Sequence, residues 1–414
     1  MQHVDLLITN AGQLLTLNGP ASARCGEEMN DLGLIDGGAA AIHEGKIVAV
    51  GPTVELKKQY SAEQHIDAEG RLVMPGFVDP HTHLVFAGTR EHEMARKAAG
   101  ESYLDILKSG GGINATVRAT RAADADLLFD LGMERLDLMA MHGTTTVEIK
   151  SGYGLAPDAE EKMLRVINHL AVDHPLDIVP TFLGAHIVPF DMERREYTQW
   201  LQQEALPRFR PLAHFCDVFC EEEAFTLEEM VHILQTAREL GYGLKAHVGQ
   251  FHDLGAAGAA AVLGAVSVEH LDHVSQKDIE KLKRAGTIAV LLPGASFFTG
   301  GKSYPDARKL IENGVPLALA TDFNPGSCPG FSMQMMIALA CIEMKMTAAQ
   351  AICAATINAA WSIGLGEQVG SLKAGKQADV ILLNIETPEQ LPYYFGGNLV
   401  ATVIKNGKVI YEAH

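Results

Sequence analysis

Eight apolar runs rich in β-branched residues recur through the middle of the chain, at 75–84, 143–150, 177–185, 215–221, 242–248, 265–271, 287–293 and 315–322. Helix-like stretches separate them, among them 156–171, 226–240, 276–285 and 303–313. Apolar strands that alternate with helices are buried on both faces, which is the pattern of a parallel sheet. Eight such units close a (β/α)8 barrel of the TIM type. A doubly wound open sheet is the alternative, and the count of eight favours the barrel. The two ends of the chain read differently. Segments 4–18 and 37–51 are short strands broken by Gly and Asn; 378–384 and 400–413 are strands too, with Asn406-Gly407 as a hairpin turn. The expected architecture is α/β: a barrel over 75–365, and a small β-sandwich domain built from both termini, 1–74 plus 366–414. The first strand-to-strand spacing is the longest, so 85–142 contains an insertion placed to cover the barrel mouth. Gly110-Gly111-Gly112 inside it reads as a flexible lid rather than a phosphate cradle, because no Lys-Ser/Thr follows.

Composition narrows the partners. With 414 residues, 47% apolar and 20% charged, the chain has ample material for a core. Lys plus Arg number 33 and Asp plus Glu 51, a net charge of −18. That argues against nucleic acid or an anionic membrane as partner. A small anionic substrate stays open, since one local Arg outweighs a distant net charge. The first residues show no basic stretch followed by an apolar core, so no secretory signal is expected. The longest nearly apolar run, 254–268, falls short of the ~20 residues that span a bilayer and reads as a buried helix. The cysteines (Cys25, Cys216, Cys220, Cys328, Cys341, Cys353) form no disulfide framework, which predicts reduced thiols in a cytoplasmic protein. Cys216 and Cys220 read as a buried pair on one strand.

In a barrel of this kind, polar residues at the C-terminal ends of the strands share one mouth. Here those ends carry His81 and His83, Lys150, His186, Glu221, His247 with Gln250 just beyond, Glu269 and His270, and Asp322. His81 and His83 alternate along one strand and so share a face. Two imidazoles on one face suit a divalent metal, with His247 and Asp322 completing three nitrogens and one oxygen. A Zn²⁺ or Fe²⁺ held there lowers the pKa of its water toward ~7, which predicts hydrolysis. A neighbouring group must take the water's proton, and Asp322 and His270 are the two candidates. The Glu221-Glu222-Glu223 run reads as partly solvated, and His142, His252 and His273 receive no role.

The motifs PGFVDPHTH (75–83), His247, His270 and Asp322, with GSLKAGKQADVILLN (370–384), resemble the amidohydrolase superfamily. Narrower motifs cover essentially the whole chain: SGGGI (109–113), VEIKSGYGL (147–155), TFLGAH (181–186), VLLPG (290–294) and ATDFNPGS (320–327). They resemble the branch that opens 4-imidazolone-5-propanoate to N-formimidoyl-L-glutamate in histidine degradation. The resemblance implies one metal, Zn²⁺ or Fe²⁺/Fe³⁺, on His81, His83, His247 and Asp322. It further implies that Arg90, Tyr153, His186, Gln250, Asn324, Gly326 and Ser327 meet the substrate. It leaves a homodimer open, although no self-complementary face is legible. The chemistry fits: Arg90 pairs with a propanoate carboxylate, Tyr153 sits between glycines that allow close approach, and His186 donates to the amide carbonyl as it becomes an oxyanion. Asn324, Gly326 and Ser327 form a short turn after Asp322. Some members carry Glu where this chain has Gln250, and Gln is no base, so proton abstraction there does not apply.

Rival readings have specific defects. Another mononuclear amidohydrolase, acting on a different cyclic amide or an aminated heterocycle, is the alternative. A deaminase usually has Glu at the Gln250 position, and a two-metal hydantoinase needs a Lys where strand four ends in Cys220-Glu221. A non-catalytic barrel scaffold has no reason to keep all four ligand positions.

Overall fold

A computed structural model describes residues 1–101, 111–300 and 303–413. Eight parallel strands run Phe77–Thr82, Thr144–Lys150, Asp177–Ala185, Phe215–Cys220, Gly243–Val248, Ser267–His270, Ile288–Leu291 and Leu317–Leu319. They pair in chain order as one sheet. The ends of that sheet meet: Thr82 bridges Phe323 in parallel, His83 N–H donates to the Phe323 carbonyl at 2.9 Å, and Asp322 N–H to the His81 carbonyl at 3.1 Å. Lower in the same seam the buried Asp79 carboxylate accepts from Thr321 N–H (3.1 Å) and Thr321 Oγ1 (2.6 Å). The barrel of the sequence reading is therefore present, strand for strand.

Each strand is buried on both sides because the helices cover the outside. In Gly243–Val248, Leu244, Ala246 and Val248 join the apolar layer beneath the helix ring, while Lys245 and His247 project into the barrel. Helix starts are written locally. Thr226 and Glu229 form a reciprocal capping box before Leu227–Glu239, and the Ser275 side chain caps Gln276–Ala285.

Two smaller sheets come from the termini. One orders Lys46–Pro52, Gly38–His43, Gln2–Thr9 and Tyr60–Asp67; the other orders Lys408–Glu412, Val400–Lys405, Val380–Leu383, Leu72–Pro75, Gln13–Leu15 and Leu34–Asp36. Leu6, Ile8, Ile42, Leu14, Val73 and Ile404 from both sheets fill one core between them, a β-sandwich. The expected turn joins Lys405 to Lys408, with Asn406 and Gly407 at positive φ.

Two expectations change. The 254–268 run is not one buried helix: Ala256–Val262 is helical, Gly264 turns the chain at φ +86°, and the sixth strand follows. Of the 85–142 insertion, Ala125–Met141 is the ordinary barrel helix, packed beside Pro157–Asp173, so only the part before it is extra. That part includes helices Glu91–Ala98 and Ile113–Ala122; of the expected glycine lid, Gly110 lies outside the described residues, and Gly112 sits at the N-cap of the second helix with φ +65°. Among the described residues no helix is long and apolar enough to cross a membrane, and the six cysteines are free, with Cys216 and Cys220 buried on one strand.

Candidate metal centre

The first strand places His81 and His83 facing inward at its end, and the fifth brings His247 beside both. Ring centroids are 4.4 Å apart for His81–His247, 5.4 Å for His83–His247 and 5.3 Å for His81–His83. One nitrogen from each ring lies within 4.8 Å of the other two. Asp322 Oδ1 stands 3.4 Å from His81 Nε2 and 3.5 Å from His83 Nε2. All four side chains are buried.

The outer nitrogens decide which way the inner ones face. His81 Nδ1 lies 2.6 Å from Glu269 Oε2, and His247 Nδ1 lies 3.0 Å from Asp217 Oδ2. A carboxylate oxygen only accepts, so His247 Nδ1, also 3.0 Å from Asp217 Oδ1, carries the hydrogen and its Nε2 presents a lone pair inward, while the Glu269 charge holds the His81 ring with its Nε2 toward the same spot. His247 Nε2 is 3.4 Å from His83 Nε2. Lone pairs and a carboxylate oxygen facing one another at such distances repel unless a cation stands among them. A proton feels the same field as a cation would: burial and Lys150 push His81 down, yet Glu269 and Asp322 carry it up to about 9. Burial holds His83 at about 4. Three imidazoles and one carboxylate therefore fit a divalent cation.

Directly beneath lies a layer of charge with no solvent contact. Lys150 Nζ is 2.8 Å from Glu148 Oε1, 2.8 Å from Asp217 Oδ2 and 3.1 Å from Glu269 Oε2. Lys245 Nζ is 2.9 Å from Glu269 Oε1 and 3.0 Å from Ser267 Oγ. Burial raises Glu269, but Lys150 and Lys245 more than offset it and hold the carboxyl well below its usual range. Asp217 is likewise lowered, by His247 and Lys150 acting against burial. Asp217, His247 and Glu269 form a second group with metal-like spacing, but the Lys150 ammonium already serves its two carboxylates.

Above the imidazoles opens a cavity of about 490 Å³. Arg90, Tyr153, His186, Gln250, Asn324 and Ser327 line it, as do His83, His247, His270 and Asp322. Gly326 lies just behind: a Cβ there would sit 2.0 Å from Arg90 Nη1, so the guanidinium rests directly on the glycine backbone. Asn324 organises the turn. Its Oδ1 accepts from Gly326 N and Ser327 N at 2.8 Å each, and Ser327 Oγ donates to Asp322 Oδ2 at 2.9 Å. His270 faces the same space, 5.4 Å from His247 by ring centroid, and burial pushes it down to about 3. It is aimed by a strained segment. His270 and Leu271 have φ +76° and +63°, held by Leu271 N–H on the Val248 carbonyl (3.1 Å) and His273 N–H on the Gly249 carbonyl (2.8 Å).

Several details differ from the sequence reading. His186 Nδ1 is 3.1 Å from the Gly152 carbonyl, an atom that only accepts. Nδ1 therefore carries the hydrogen, burial keeps the ring neutral, and Nε2 offers a lone pair where a donor was expected. Arg90 spends Nε and Nη2 on Glu93 Oε2, at 3.0 and 2.8 Å. The 221–223 run is partly solvated as expected, with Glu222 and Glu223 exposed and Glu221 buried. Its carboxylate accepts from Phe251 N (2.9 Å), His252 N (3.2 Å) and His252 Nδ1 (2.8 Å), which gives the unassigned His252 a place and fixes the loop after Gln250. Asp217, Glu93 and Glu160 were missed; each is a carboxylate whose partners come from elsewhere in the chain. Asp217 had a signal, a lone charge inside the apolar run FCDVFC.

The profile of the amidohydrolase family matches residues 72–410, and the chain belongs to that family. Solved structures share the fold: 5-methylcytosine deaminase from Klebsiella pneumoniae, TM-score 0.75 at 17% identity over 99% of this chain and 98% of that one, and E. coli guanine deaminase, TM-score 0.74 at 17% over 99% and 100%. Within the family the chain falls among the imidazolonepropionases. It is 48% identical to the imidazolonepropionase of Symbiobacterium thermophilum over 100% of this chain and 98% of that protein, and 47% identical to the one from Parabacteroides distasonis over 99% of each.

Proposed function

We propose that the chain hydrolyses the cyclic amide C–N bond of 4-imidazolone-5-propanoate, giving N-formimidoyl-L-glutamate in the degradation of histidine. The observation that carries this is the convergence of His81, His83, His247 and Asp322 at the floor of a cavity that has Arg90 in its wall. One divalent metal, zinc or iron, belongs on those four residues. When bound it supplies the Lewis acidity that makes water a nucleophile at neutral pH.

The protein's own groups do the rest. Glu269 and Asp217 fix the rings of His81 and His247. Arg90, held by Glu93 and seated on Gly326, meets the propanoate. Tyr153 packs over the ring beside His186, whose Nε2 accepts from a ring N–H. Gln250, Asn324 and Ser327 complete the wall. Two groups stand where the attacking water's proton must go. Asp322 Oδ2 is steadied by Ser327 Oγ, and His270 is kept neutral by burial. The partner is a small carboxylate-bearing molecule; a chain of net charge −18 suits neither nucleic acid nor an anionic membrane.

The test is to offer imidazolonepropanoate to metal-loaded protein and follow the ring's ultraviolet absorbance. Loss of absorbance that stops when a chelator strips the metal is expected. A metal-loaded, folded protein that leaves the ring intact overturns the reading.

A further inference from the structure

We propose that Glu160, which no step above uses, is the positioning residue that sets the tautomer and aim of His186. It sits in the first turn of helix Pro157–Asp173 and is fully buried. The loop after the second strand wraps it. Glu160 Oε1 accepts from Gly154 N–H and Leu155 N–H at 2.8 Å each, and Gly152 N–H lies 3.2 Å from both oxygens. A fully buried carboxylate taking three backbone donors from one loop does more than favour a helix terminus, for which an exposed acid suffices.

The loop it holds carries Tyr153 and the Gly152 carbonyl that receives His186, so it touches both groups placed against the substrate ring. Gly152 N–H and Gly154 N–H are anchored on either side of the Gly152 carbonyl and of Tyr153, so neither can swing. Gly152 has φ +104°, and a Cβ there would lie 2.7 Å from the Leu183 carbonyl oxygen and 3.1 Å from His186 Nδ1. The loop is thus pressed against the end of the third strand. In that position the Gly152 carbonyl receives His186 Nδ1–H at 3.1 Å. The His186 ring then stacks on His83, with centroids 5.1 Å apart, and turns Nε2 toward the cavity as an acceptor. Replace Glu160 by a side chain with no acceptor, such as Leu, and the loop loses what keeps its carbonyl pointed at His186. The ring is then free to take the other tautomer, which presents a donor where the substrate also has a donor.

The proposal rests on the reading of His186 as a substrate contact, and the experiment separates the two. ¹⁵N-histidine labelling of the zinc-loaded protein, with His186 assigned by loss of its signals in His186→Gln, reads the tautomer with no substrate present. Hydrogen on Nδ1 is expected at neutral pH; hydrogen on Nε2 overturns the proposal, and this readout needs no Glu160 variant to fold. Glu160→Leu is then expected to lose the Nδ1–H signature and to fall about 10–100-fold in kcat/KM, the usual cost of removing an orienting partner, while still binding one metal. A folded Glu160→Leu with unchanged signals and unchanged kinetics also overturns it. A silent His186→Gln alongside the expected nitrogen spectrum would instead remove the substrate role of His186.

Discussion

Two layers of the barrel interior, joined on the fifth strand where Lys245 and His247 stand two residues apart, are built from similar polar groups and end in opposite electrostatic states. In the lower layer Glu148, Asp217 and Glu269 surround Lys150 and Lys245, and every carboxylate has an ammonium within about hydrogen-bond reach. In the upper layer His81, His83, His247 and Asp322 point lone pairs at one spot and hold no ammonium of their own. The lower layer carries its cations covalently. The upper layer leaves the cation to be supplied, and the lower one holds its ligands in register through Glu269 and Asp217.

Substitutions can break that comparison from either side. His83→Ala should have the largest effect on chemistry, abolishing both metal content and hydrolysis while leaving the fold; elemental analysis with a thermal melt checks both. Lys150→Met attacks the lower layer and should cost stability first. Truncating one member of a buried ion cluster costs about 3–5 kcal/mol, read as a lower denaturation midpoint, with metal affinity weakened about 10–100-fold through the loosened imidazoles. Full stability in that variant would mean the lower layer is not held together as described. Arg90→Ala lies outside both layers and should mainly raise KM, lowering kcat/KM about 10–100-fold for the loss of a charge-assisted contact. A silent Arg90→Ala would displace the substrate from the proposed pose. Gln250→Glu should change least, retaining activity and metal, because no proton transfer runs through that side chain; a folded, metal-loaded but dead variant would contradict this.

The upper layer was legible in the sequence and much of the lower one was not, for a physical reason. His81 and His83 announce themselves by alternation within one strand, and His247 and Asp322 by standing at strand ends. The apolar runs around them gave the barrel because strands buried on both faces have little else to be. Carboxylates such as Asp217 and Glu93 take their meaning from partners elsewhere in the chain, and Glu160 looked like ordinary acid in a helix's first turn. The Glu221-Glu222-Glu223 run is partly solvated as its composition suggested, but which member turns inward, Glu221, is set by Phe251 and His252 from another loop. The donor role expected of His186 failed on one bond, to the Gly152 carbonyl, that no spacing rule reveals. In hindsight the charges inside YGLKAHV and VEIK were a signal: a charge on a strand buried on both faces must be paired.

The most direct test of the contrast between the layers is anomalous diffraction from crystals of the metal-loaded protein, collected at the metal's absorption edge. One peak bounded by His81, His83, His247 and Asp322, with none among Asp217, His247 and Glu269, is the predicted result. A peak in the lower group, or density that avoids the three imidazoles, would contradict it.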